Sequence, residues 1–164
     1  MPKDIENQII SKIFTLSQLK EQVDEWKQKG SKVVFTNGCF DLLHTGHVTY
    51  LAKAAGLGDK LIIGLNADQS VQRLKGPNRP VNNEQSRSLL LAALLFTDAI
   101  VVFDEDTPHH LITTLLPDVL VKGGDYTIEN IVGAQEVQAN GGEVKTINFV
   151  EGYSSTSIIN RIRG

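Results

Sequence analysis

A single cysteine, Cys39, stands in a chain of 164 residues. No disulfide can form within the chain, which suits a reducing compartment. Long apolar runs are missing as well. The N-terminal MPKDIENQIISKIF holds no uninterrupted apolar stretch, and no segment approaches the roughly 18 consecutive apolar residues of a membrane span. Charge of one sign is scarce too. Sixteen Lys and Arg against nineteen Asp and Glu leave a formal net charge of −3, which argues against a general nucleic-acid or anionic-membrane binder. These absences predict a soluble, cytoplasmic protein without nucleic-acid or membrane partners. Any phosphate it binds must be held by a local constellation of residues.

The apolar content, 41%, is ordinary. A chain of this length fits one domain and can bury a core without staples. No internal repeat, low-complexity tract or linker interrupts it. The expectation is one domain over 1–164, with an N-terminal helical extension (1–31) ahead of a catalytic core (32–164). Leu16, Leu19, Val23 and Trp26 share a helical face, Thr15 and Gln18 have capping-box spacing, and Gly30 suits a helix stop. KVVFT (32–36), KLIIGLN (60–66), AIVVF (99–103), DVLVKGG (118–124) and EVKTI (143–147) read as short buried strands. Helical patterns separate them, including a long one over 82–96 capped by Asn82, and another after Thr107–Pro108. Alternation of this kind predicts an α/β, Rossmann-like three-layer fold around a five-stranded, mostly parallel sheet.

The most informative stretch is FTNGCFDLLHTGH, residues 35–47. It places two of the four histidines, His44 and His47, three residues apart at a strand-to-helix turn. Sheets of this kind bind ligands at the carboxyl ends of their strands. Asn37 and Gly38 follow the strand directly, and glycine lets a ligand approach the backbone. Residues at i and i+3 share a helical face, and a helix start offers unpaired N–H groups and a positive dipole end. Two imidazoles there would make a phosphate clamp, and a pair of histidines without a ligand is the plainer alternative. Cys39, Asp41, His44 and His47 are also the ligand types zinc takes, although no second Cys/His cluster completes a closed site.

The string TNGCFDLLHTGH resembles the TxGxFDxxHxGH signature of the cytidylyltransferase-like nucleotidyltransferases. Near the other end, EGYSSTSIINRI is similar to that family's Ser/Thr-rich helix start. There Ser154, Ser155 and Thr156 would offer hydroxyls beside exposed helix-start amides. LKGPNRPVNNEQSR (74–87) and VKGGDY (121–126) resemble the adenylyltransferases that make ADP-heptose from heptose 1-phosphate. The likeness runs from about residue 32 to the end. Many of these relatives are fused to a sugar kinase. No kinase fits in the remaining residues, so a stand-alone transferase is expected.

The resemblance implies transfer of AMP from ATP to a sugar 1-phosphate with release of pyrophosphate, as a step of lipopolysaccharide biosynthesis. It implies Mg²⁺ bridging phosphate oxygens, and a homodimer, since relatives are often dimers. His44, His47 and Lys75 would be catalytic. Thr36, Asn37, Gly38, Phe40, Gly46, Arg87, Gly123, Asp125, Ser154, Ser155 and Thr156 would hold the nucleotide. Asp41, Arg79 and Lys122 would meet the acceptor, and Asp41 is also a candidate for the metal. Arg87 lies in an otherwise apolar helix, so a structural ion pair is its other reading. Glycerol-3-phosphate cytidylyltransferases share the layout but carry arginine just before their Gly-Ile-Ser-Thr motif, where this chain has Phe149. A CTP-dependent enzyme acting on a polyol phosphate is therefore the rival, and a non-catalytic nucleotide sensor is a further one.

Overall fold

The computed structural model describes all residues from Met1 to Gly164. In chain order the elements are α1 (Ile5–Ile10), β1 (Ile13–Phe14), α2 (Leu16–Gln28), β2 (Val33–Gly38), α3 (Thr45–Ala55), β3 (Lys60–Asn66), α4 (Asp68–Lys75), α5 (Glu84–Ala92), β4 (Ala99–Phe103), α6 (His109–Leu115), β5 (Val119–Gly123), a 3₁₀ turn (Ile128–Asn130), α7 (Ala134–Ala139), β6 (Glu143–Ile147) and α8 (Ser155–Arg163).

All strand pairs are parallel, and the order across the sheet is β1-β4-β3-β2-β5-β6. The sheet thus has six strands where the sequence pattern predicts five. The extra strand is β1, which pairs Ile13 with Ile100 and Phe14 with Val101. Two residues carry no readable alternation, so the N-terminal segment looks like a purely helical extension until its partner strand is known. Local detail differs elsewhere too. α5 is shorter than the predicted 82–96 run, and its cap is Asn83, whose side chain accepts from the Ser86 amide at 2.8 Å. Asn82, the predicted cap, instead faces Asp41. The Thr15/Gln18 capping box of α2 forms as expected.

The strands read as continuous apolar runs because both faces of the sheet are covered. Successive side chains point to opposite faces. Val33, Phe35 and Ile62 join Leu19, Val23, Leu111, Leu115 and Val137 beneath α2, α6 and α7. Val34, Ile63 and Leu65 join Tyr50, Leu51, Leu91 and Ala92 beneath α3 and α5. These are the three layers.

The chain builds outward from β2 to β3 and β4, then crosses back to place β5 and β6 on the other side. The reversal lies between β2 and β5, and ligands of such sheets bind where it occurs. Those two strands pair at only two positions, Val34 with Val119 and Phe35 with Leu120, whereas β2 stays paired with β3 as far as Gly38. A fork therefore opens at the carboxyl ends of β2 and β5.

Arg87 holds one side of this region together. The residue is 1% exposed. Its guanidinium donates to the carbonyls of Asn82 (2.9 Å), Cys39 (2.8 Å) and Asn66 (2.7 Å), and to the Asp68 carboxylate (2.8 Å). One planar fork thereby joins the β2 turn, the end of β3, the start of α4 and the start of α5. Of its two readings from the sequence, the geometry matches the ion pair, since four bonds to the protein occupy the group. Lysine has neither the planar geometry nor enough donors for these bonds. Arg87→Lys and Arg87→Ala are expected to lower the unfolding free energy, the alanine variant by about 3–5 kcal/mol. Urea unfolding followed by circular dichroism measures both, and wild-type midpoints would remove Arg87 from this role.

Candidate active site

Two clefts adjoin at the carboxyl edge of the sheet. The smaller, of about 320 Å³, is lined by His44, Gly46, His47, Lys75, Arg79, Phe149, Val150, Tyr153, Ser154, Ser155 and Thr156. The larger, of about 530 Å³, lies over the fork and takes in Asn37, Gly38, Cys39, Asn66, Lys75, Asp106, Lys122, Tyr126 and Asn130. Lys75 lines both.

The histidine pair is built by the start of α3. His44 is its N-cap, in extended backbone geometry, and its Nδ1 accepts from the His47 amide at 3.4 Å. A neutral ring whose Nδ1 accepts carries its proton on Nε2. The two imidazoles stack with centroids 3.7 Å apart, and the Tyr153 ring lies nearly parallel to His44 at 6.2 Å. Phe40 meets His47 edge-on at 5.1 Å, from a left-handed backbone (φ 46°) uncommon outside glycine. Gly46 makes the stack possible. A Cβ there would fall 2.9 Å from His44 Cε1 and 3.1 Å from Tyr153 Cβ.

Burial lowers the His44 pKa below its ordinary value. Burial and the neighbouring His44 bring His47 down to about 4. His47 Nδ1 is buried with no hydrogen-bond partner in the protein.

The opposite wall depends on Asp41, which is 2% exposed. Its carboxylate accepts from Arg79 Nε at 2.7 Å, from the Val81 amide at 2.9 Å and from the Asn82 amide at 3.0 Å. Burial alone would raise its pKa. The Asn82 and Val81 amides and the Arg79 guanidinium overcome that, and Asp41 titrates below the usual carboxylate range. The anchored loop holds Arg79 in the small cleft, with Nη1 3.4 Å from Thr156 Oγ1. Ser155 Oγ accepts from the Leu42 amide (3.2 Å) and donates to its carbonyl (3.0 Å). Ser154 caps α8 by accepting from the Ser157 amide at 2.9 Å. Two of the three predicted hydroxyls are thus used to place the helix start against the histidine turn. The Ser155 and Thr156 amides at the start of that turn have no partners within the helix.

The predicted residues therefore divide. His44, Gly46, His47, Lys75, Arg79 and Ser154–Thr156 come together in the small cleft, and Asn37, Gly38 and Lys122 in the large one. Thr36 is buried with its hydroxyl on Tyr50 Oη at 2.6 Å. Gly123 is buried beneath the Phe149 ring, where a Cβ would lie 2.5 Å from the ring carbons. Asp125 is exposed and lines neither cleft. Arg87 and Asp41 direct their polar atoms to the protein itself. No group of three or more His, Cys, Asp or Glu side chains is placed to share a metal ion, and Asp41 has no free face for one. No helix is long and apolar enough to cross a membrane.

Sequence reasoning missed Tyr153, Asn66, Asp106 and Asn130. Tyr153 directly precedes the serine-rich helix start, and Asn66 is the polar residue ending an apolar strand, so both had a local signal. Asp106 and Asn130 had none. Asp106 is held 3.2 Å from Arg73 of α4, a contact between segments 33 residues apart.

Residues 35–161 match the cytidylyltransferase-like family. The bifunctional protein HldE of Pectobacterium carotovorum is 52% identical over 168 residues, which takes in 99% of this chain and 35% of that protein. The HldE of Syntrophotalea carbinolica is 57% identical over 152 residues, 93% of this chain and 31% of that one. The chain thus spans about a third of the length of the curated relatives it matches. Among solved structures, the lipopolysaccharide core biosynthesis protein of Thermoplasma volcanium superposes with a TM-score of 0.59 at 28% identity, over 76% of this chain and all of that one. The pantoate-beta-alanine ligase of Francisella tularensis, solved with an ATP analogue and β-alanine, shares the fold alone, with a TM-score of 0.57 at 13% identity over 92% of this chain and 76% of that one. With its histidine turn and serine-rich helix start inside the matched 35–161 stretch, the chain belongs to the cytidylyltransferase-like family.

Proposed function

We propose that this chain is an adenylyltransferase that converts ATP and heptose 1-phosphate to ADP-heptose and pyrophosphate. The observation that carries the reading is the pair of clefts sharing Lys75. One has the donors a triphosphate needs. The other is large enough for a sugar phosphate and offers Asn37, Asn66, Asp106 and Asn130 to its hydroxyls. The resemblance of LKGPNRPVNNEQSR and VKGGDY to ADP-heptose-forming enzymes supplies the substrate class. The HldE relatives and the lipopolysaccharide core protein lie in the same direction.

An oxygen of the sugar phosphate attacks the α-phosphorus of ATP in line. The bond from that phosphorus to the bridging oxygen breaks, and its electron pair leaves with pyrophosphate. A phosphomonoester has a second pKa near 6, so at neutral pH the nucleophile is largely a dianion and needs no general base. The protein contributes positioning and charge stabilisation. His44 Nε2–H and the His47 ring donate to phosphate oxygens as charge moves toward the leaving group. Lys75 reaches the phosphates from the junction of the clefts. Arg79, aimed by Asp41, and the first amides of α8 hold the triphosphate from the other side. Asp41 thereby acts as a positioning residue and not as a ligand of substrate or metal. The donor set around it does not fit a protein-held cation, and Mg²⁺ belongs to this scheme only as the counter-ion arriving with ATP.

Three outcomes are expected. Incubation with Mg²⁺, heptose 1-phosphate and each nucleotide in turn releases pyrophosphate fastest with ATP. Faster release with CTP would replace the reading with a cytidylyltransferase. Lys75→Ala lowers turnover on the order of 100-fold, and as an exposed residue it shifts stability by no more than about 0.5 kcal/mol. Normal turnover in this variant would make Lys75 a solvated surface charge.

The third outcome concerns protonation. The His47 pKa, about 4 in the fold, lies below its ordinary value of 6.5. Between these values the unfolded chain binds the proton more readily, so stability falls as pH drops from 6.5 toward 4. Well above 6.5 both states are neutral at this group and it contributes no slope. His47→Asn flattens the fall, measured by urea unfolding at a series of pH values. An unchanged slope would show that His47 titrates normally.

A further inference from the structure

The β2–β5 pairing ends at Phe35 and Leu120. Beyond it the strands part, and polar groups on the parting edges need partners. Tyr50 of α3 enters this fork. Its hydroxyl lies 2.6 Å from Thr36 Oγ1 on β2 and 3.5 Å from the Val121 carbonyl oxygen on β5. Both contacts fall one residue past the last paired positions. Tyr50 is 4% exposed, and burial pushes its phenol up to about 12. The group is a neutral donor throughout the working pH range.

The ring has two further neighbours. Phe149 sits 5.7 Å away between centroids, and a Cβ on Gly123 would lie 3.1 Å from Tyr50 Cε2. Tyr50 also follows His47 by three residues on α3, so the two share a helical face. One side chain thereby touches β2, the end of β5 and the Phe149 loop, on the helix that carries the histidine pair. Filling the core needs only the ring. The hydroxyl adds what a phenylalanine could not, a polar tie across the opening strands.

We propose that Tyr50 is a positioning residue whose hydroxyl sets the opening between β2 and β5 and, through α3, the alignment of His47 with the transferred phosphorus. The catalytic half of this statement rests on the nucleotidyl-transfer reading. The structural half does not.

The test uses Tyr50→Phe, Thr36→Val, Thr36→Ser and the double substitution Y50F/T36V, all in the full chain. In Y50F, kcat for pyrophosphate release is expected to fall on the order of 10- to 100-fold, the scale of a small misplacement near reacting atoms. KM for ATP should stay within about threefold, because the contact does not touch the nucleotide. T36V should match Y50F, T36S should restore most of the rate by returning the hydroxyl, and the double variant should be no worse than the poorer single one. Amide hydrogen exchange at Asn37–Cys39 and Lys122–Gly124, which needs no substrate, should quicken in Y50F.

Wild-type kcat in Y50F, or a fall in thermal stability alone, overturns the catalytic half. Unchanged exchange overturns the structural half. If the wild-type chain releases no pyrophosphate from any nucleotide and sugar phosphate, the transfer reading fails, and the exchange data still decide whether Tyr50 holds the fork.

Discussion

Asp41 carries a carboxylate into a place where 2% of the residue is exposed. A buried charge of this kind costs several kcal/mol unless every lone pair finds a donor. The Arg79 guanidinium and the amides of Val81 and Asn82 supply those donors. The requirement fixes much else. The loop after α4 is polar and rich in glycine and proline, with no core of its own, yet Asp41 holds it against the histidine turn. Arg79 is thereby aimed into the small cleft, and its contact with Thr156 brings in α8. Three segments far apart in the chain meet around one carboxylate.

Arg87 does the complementary work with a buried cation. It satisfies carbonyls that the ends of β2, β3 and the α5 turn leave unpaired, as well as the Asp68 carboxylate. Together the two groups turn a generic α/β edge into a defined surface, because each tolerates one arrangement of neighbours and is costly in any other. His44 Nε2, the His47 ring and Lys75 are left without partners in the protein and line the small cleft. The scaffold leaves these donors free by satisfying its own acceptors with other groups.

The neutral state of the histidines follows from the same crowding. Stacked at 3.7 Å beside Phe40 and Tyr153, the two rings are poorly solvated and repel a second charge. They can therefore donate protons in hydrogen bonds without being cations. The positive charge in the small cleft comes from Lys75 and Arg79. Polarising donors and fixed charges are thus carried by different residues, in adjoining parts of one cleft.

The layered α/β architecture was legible in the sequence because strand and helix periods are local. KLIIGLN and AIVVF declare themselves within a few residues, and so does the Thr15/Gln18 capping box. The histidine turn and the serine-rich helix start were legible for the same reason, as short strings at element boundaries. The tertiary structure alone decided which polar groups remain free. Asp41 meets residues 38 to 41 positions away, Arg87 reaches back 48 residues to Cys39, and Thr36 is satisfied by Tyr50 on the following helix. The sixth strand exists only because Ile13 and Phe14 lie against β4. Hydrogen-bond saturation belongs to pairs brought together by folding, and no single stretch of sequence carries it.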